Sequence, residues 1–108
     1  MNVDWSGFGL VRIHEVSPPV VVADLDANSR AIGAAAQRAA ADGATVVVTP
    51  ELGITGYTIG DLFAQSLIVD EAWAALERLA CDSSNHPSLA LVVGLPVRTV
   101  DSRLYNCA

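Results

Sequence analysis

The chain has 108 residues, enough for one domain or a piece of one. With 52% hydrophobic and 17% charged residues and a mean hydropathy of +0.41, it is too apolar for a disordered chain and can build a core. Twelve acidic against six basic residues give a net charge of −6, which denies it the cationic face needed by nucleic acid or an anionic membrane surface.

No apolar run approaches the roughly 18 to 20 residues of a membrane span, and no basic-then-apolar leader opens the sequence. Two cysteines, Cys81 and Cys107, set no disulfide framework and fit a reducing cytoplasm. All six cations are arginine, so chemistry that needs an amine side chain cannot be completed within these residues.

In chain order, residues 8–16 mix apolar and polar positions as a strand does, and Ser17-Pro18-Pro19 ends the run. Residues 20–22 read as a short extended stretch. Asp24, Asp26 and Asn28 all have side chains able to accept from free helix N–H groups, so a helix is predicted to begin near Asp26 and run to about Ala41. Ile32, Ala35, Ala36 and Ala39 form its apolar stripe, and Asp42-Gly43 supplies the stop. The unbroken Val46-Val47-Val48 that follows predicts a strand buried on both faces, joined to the first by a parallel crossover. Pro50 ends it, and Gly53, Gly56 and Gly60 punctuate a loop. Val69, Trp73, Leu76 and Ala80 predict the buried stripe of a second helix ending near Asp82. Residues 89–95 read as a third apolar strand closed by Pro96, Asp101-Ser102 as a turn, and residues 103–108 as the start of a further strand. The fold class is α/β, open-ended at Ala108.

Glu51 is the leading candidate for chemistry. It directly follows a strand that reads as central and parallel, and sites in open α/β sheets collect at that edge. Beside Val46–Val48 and Leu52, its carboxylate is expected to be partly desolvated, which would make it a better base. The competing reading is a surface glutamate favoured by the free N–H groups of the next turn. Tyr57, in the same loop, either contacts a bound amide or Glu51, or covers the core. Phe63 is substrate wall or core. Asp61 is expected to cap a short turn beginning at Leu62. Cys81 reads as a small core residue and Cys107 as a packed strand thiol. His14 sits in a strand with no second ligand at metal spacing, and His86 reads as solvated; no metal site is expected. The glycines at 53–60 lack the spacing of a dinucleotide-binding loop.

The run Pro50-Glu51-Leu52-Gly53-Ile54-Thr55-Gly56-Tyr57 resembles the first catalytic motif of the nitrilase, or carbon–nitrogen hydrolase, superfamily. Four further landmarks resemble it in order: Asp24-Leu25-Asp26-Ala27-Asn28, Asp42-Gly43-Ala44 leading into Val46-Val47-Val48, Val93-Gly94-Leu95-Pro96, and Leu104-Tyr105-Asn106-Cys107-Ala108. Asp61-Leu62-Phe63 followed by Gln65, and the opening run from Gly7 to Ile13, are similar to the amidase domain of glutamine-dependent NAD(+) synthetases.

The resemblance implies that residues 1–108 are the N-terminal part of an α-β-β-α sandwich, truncated before completion. It implies a Glu–Lys–Cys triad in which Cys attacks an amide carbon, Glu moves protons and Lys stabilises the oxyanion. Glu51 stands at the Glu position, whereas Lys and Cys lie beyond this segment. Tyr57 and Phe63 would contribute to the substrate wall. Glutamine or another small amide would be the substrate, and the remainder of the chain the partner. ATP and Mg2+ would be needed only in a separate synthetase domain, with no cofactor in this segment, and the parent would be a homo-oligomer. The alternatives are a fragment of a stand-alone amidase or carbamoylase, and a non-catalytic α/β binding module.

Overall fold

The structure, a computed structural model, describes Val3 and residues 5–108. After a 3-10 turn at Ser6–Phe8, the order is β1 (Ile13–Glu15), α1 (Leu25–Ala41), β2 (Val46–Val48), a second 3-10 turn (Gly60–Ala64), α2 (Ser66–Ser83), β3 (Ala90–Val92), β4 (Leu95–Arg98) and β5 (Leu104–Cys107). β1, β2 and β3 form a parallel sheet with β2 in the centre, and β4 and β5 form an antiparallel hairpin. Among the described residues, no helix is long and apolar enough to cross a membrane.

α1 forms where the local signals place it. Asp24 accepts from the Ala27 N–H at 3.0 Å as the N-cap. Alanine, the best helix former, fills much of the interior, and Gly43 at φ 83° takes the left-handed conformation that ends the helix. Ile32, Ala35, Ala36 and Ala39 are all buried, as their spacing predicts. Ala39 packs with Val47 of β2, while Leu25 and Ile32 join Ile54, Val93, Leu95 and the buried face of α2 in the larger core cluster.

α2 ends close to the predicted Asp82, and of the predicted stripe Val69 is buried and Leu76 packs against the core, but Trp73 and Ala80 do not face inward. Val69, Ala72, Ala75 and Leu79 are buried, whereas Trp73 is 48% exposed and Ala80 lies at the surface. α2 packs against both α1 and β4, and small alanines allow that approach where an indole would not. Trp73 remains outside, its Nε1–H donating to Glu77 at 3.0 Å.

The sheet is covered on one face only, against the expectation of burial on both. His14, Val47 and Leu91 share the face toward α1, and Val47 is fully buried. The opposite face carries Ile13, Val46 and Ala90 in one row and Glu15, Val48 and Val92 in the next. Ile13 is 62% exposed there, and Val46, Val48 and Val92 are only partly buried, because both helices pack on the other side.

Two predicted strands and one predicted extended stretch differ in form or bounds. β1 is confined to Ile13–Glu15, because the chain bends through the 3-10 turn and Gly9 at φ 71° before it. Residues 20–22 form no strand; Val21 is held instead by the Asn28 side chain, and Ala23 donates to Thr55 O at 2.9 Å. The apolar run from Leu89 divides at Val93-Gly94 into β3 and β4, and Pro96 lies within β4 opposite Asn106 rather than closing a strand.

Candidate active site

The central parallel strand delivers the chain to Pro50, after which residues 51–55 turn back on themselves. Gly53 N donates to Pro50 O at 3.1 Å, Thr55 N to Leu52 O at 3.2 Å, and Gly56 N to Leu52 O at 2.8 Å. Leu52 adopts φ 51°, a left-handed conformation costing a non-glycine residue about 1 kcal/mol. Burial of the Leu52 side chain helps to hold it there.

Two groups from elsewhere fix this turn. Asn28 on α1, 1% exposed, donates from Nδ2 to Val21 O at 2.8 Å and Ile54 O at 2.9 Å, and its Oδ1 accepts from Val21 N at 2.7 Å. On the other side the backbone of Gly94 lies directly against the turn. A Cβ there would stand 2.6 Å from both Pro50 O and Leu52 N, so only glycine permits the approach. Ile54 N also donates to Gly94 O at 3.4 Å.

Within this frame, the turn from Leu52 to Gly56 is buried and the Glu51 side chain points outward, exposed. The expected partial desolvation of Glu51 is not supplied by the described residues: Leu52 and Ile54 are buried in the core, while Glu51 is exposed. It has a specific partner. Asn106 Nδ2 of β5 donates to Glu51 Oε1.

Tyr57 is 67% exposed, so it does not cover the core, and Phe63 is half-buried in the Gly60–Ala64 turn. That turn begins one residue before Asp61, leaving Asp61 inside it with no capping bond from a side chain at Ile59. Cys81 is exposed near the end of α2, not in the core, because the helix turns Val69, Ala72, Ala75 and Leu79 inward instead. Cys107 is half-buried on β5. His14 is half-buried on the α1-facing side of β1; His86 is also half-buried rather than fully solvated, and its backbone N–H donates to Ser83 O at 2.8 Å as the chain leaves α2. Among the described residues, no group of three or more His, Cys, Asp or Glu side chains could hold a metal ion.

Asn28, Gly94 and Asn106 carry parts of this arrangement that the residue-by-residue reading missed. Asn28 had a local signal: it precedes Ile32, Ala35 and Ala39 on one helical stripe, and a polar residue in an apolar stripe must find internal partners. Asn106 had a weaker one, since asparagine is disfavoured in strands.

Residues 10–108 match the profile of the carbon-nitrogen hydrolase family. The chain belongs to the carbon-nitrogen hydrolase family. Its parallel sheet, helices and hairpin are part of the nitrilase-like sandwich of that family. Over 100 residues, 93% of its length, it is 34% identical to the glutamine-dependent NAD(+) synthetase of Mycobacterium bovis, and it spans 14% of that relative's length. A crystal structure of a glutamine-dependent NAD(+) synthetase from Cytophaga hutchinsonii superposes with a TM-score of 0.82 at 27% identity, covering 90% of this chain and 16% of that one. An amidase from Nesterenkonia sp. superposes with a TM-score of 0.66 at 34% identity, covering 80% of this chain and 32% of that one. A variant of that amidase carries the acetamide moiety of fluoroacetamide added covalently at its active-site cysteine.

Proposed function

We propose that this carbon-nitrogen hydrolase segment is the N-terminal part of a glutaminase domain, and that Glu51 is its general base. In the intact enzyme a cysteine supplied by later residues attacks the carboxamide carbon of glutamine as Glu51 takes the thiol proton. Protonated Glu51 passes that proton to the amide nitrogen, so ammonia departs, a thioester remains and the Glu51 carboxylate is restored. Glu51 then takes a proton from water as the water attacks, releasing glutamate and restoring the thiol. A lysine, also supplied by later residues, offsets the charge that develops on the carbonyl oxygen. Tyr57 and Phe63 form part of the substrate wall. The ammonia serves an ATP- and Mg2+-dependent domain that amidates deamido-NAD(+), in a cytoplasmic homo-oligomer.

What carries this reading is the placement of Glu51: an outward carboxylate on a fixed turn at the carboxyl end of the central strand, in a chain similar to glutamine-dependent NAD(+) synthetases over 93% of its length. Alone, the 108-residue chain should release no ammonia from glutamine above background. Coding sequence beyond Ala108 should supply a lysine and then a cysteine in apolar contexts, followed by an ATP-using region. In the protein so encoded, Glu51→Gln should abolish glutamine hydrolysis, and retained activity would remove the assignment.

The 34% identity to the Nesterenkonia amidase favours a second reading, a stand-alone amidase acting on another small amide. A coding sequence that ends with the sandwich, together with hydrolysis of simple amides in preference to glutamine, would select it. The higher superposition score of the Cytophaga synthetase supports the first.

A further inference from the structure

We propose that Asn106 is a positioning residue for Glu51, an inference that rests on the assignment of Glu51 as general base. The two side chains are 55 positions apart in sequence, and the fold brings them together through one continuous piece of backbone. Gly94 lies against the Pro50–Leu52 backbone, closer than any side chain would permit, so the root of the β4–β5 hairpin is set by the same turn that carries Glu51. Leu95 then pairs with Cys107 and Pro96 with Asn106. That register puts Asn106 on the strand opposite the second residue after Gly94, where its Nδ2 reaches Glu51 Oε1. A shift of one residue would turn the amide to the other face of the hairpin.

The chemistry of the pair is one-sided. An ionised carboxylate only accepts hydrogen bonds, so the asparagine must present its NH2 group. Engaging one oxygen fixes the rotation of the carboxylate about its last bond and leaves Oε2 free to receive a proton. An exposed glutamate without such a partner samples many rotamers, and few of them aim a lone pair at a fixed thiol. Asn106 therefore acts through Glu51.

The contact is tested on the 108-residue chain by 15N-edited NMR. Glu51→Ala should move the Asn106 side-chain NH2 signals while leaving those of Asn28 in place. Unmoved Asn106 signals would refute the contact. The role is tested in the intact protein that contains the segment, with glutamine as substrate. Asn106→Asp keeps the shape but sets an acceptor against the carboxylate, and Asn106→Ala removes the donor. Both should lower kcat by about tenfold or more with KM within about twofold, at an unchanged melting temperature. Full kcat in both variants, with Glu51→Gln inactive, would overturn the positioning role and leave the assignment of Glu51 standing. A loss of kcat that tracks a loss of melting temperature would also overturn it, by making Asn106 structural. An active Glu51→Gln protein would remove the parent assignment itself.

Discussion

Two adjoining stretches of the same loop are built in opposite ways. From Leu52 to Gly56 the chain is buried, held by Asn28 from α1 and in close contact with Gly94. From Tyr57 through Gln65 it runs largely along the surface, and the short Gly60–Ala64 turn has no side-chain cap. The contrast teaches that the buried, cross-braced part of this loop is the part next to the proposed base, Glu51. The stretch carrying Tyr57 and Phe63 has far fewer buried residues.

That difference can be broken most forcefully at Gly94. Gly94→Ala would drive a methyl into Pro50 O and Leu52 N, and should cost about 3 kcal/mol in urea denaturation, as overpacking against backbone does. Asn28→Ala should cost about 2 kcal/mol, because Ile54 O would lose its partner in a buried setting and Val21 would lose two part-buried bonds. Asn28→Asp sharpens the result: it keeps the shape but sets an acceptor against two carbonyls, and should recover none of the loss. Thr55→Val removes a buried hydroxyl that donates to Gly56 O at 3.1 Å, and should cost about 1 kcal/mol. At the other end of the scale, Tyr57→Ala should change stability by less than about 0.5 kcal/mol. A large loss at Tyr57 combined with a negligible one at Asn28 would erase the distinction.

Legibility in the sequence followed the range of the interactions. α1 was readable because its cap, its stripe and its glycine stop act within a turn or two of one another. The site of the turn after β2 was readable from Pro50 and the glycines beyond it, and the resemblance of residues 50–57 to a catalytic motif singled out Glu51. α2 was read correctly at Val69 and Leu76 but not at Trp73, because a large side chain looks more core-like than Ala72 or Ala75. Which face goes inward was decided by how closely α1 and β4 approach. The split between β3 and β4 escaped notice because the break at Gly94 answers to Pro50 and Leu52, some forty positions earlier. Asn106 escaped for the same reason, since nothing near it in sequence requires an amide.

The outward setting of Glu51 has an evolutionary corollary. No buried contact of the turn depends on its carboxylate, so folding and the proposed reactivity are separately heritable. Under the proposed assignment, one codon change at this position would silence the acid–base function and still yield a well-formed polypeptide. Lineages carrying such a change would keep the architecture long after losing the chemistry.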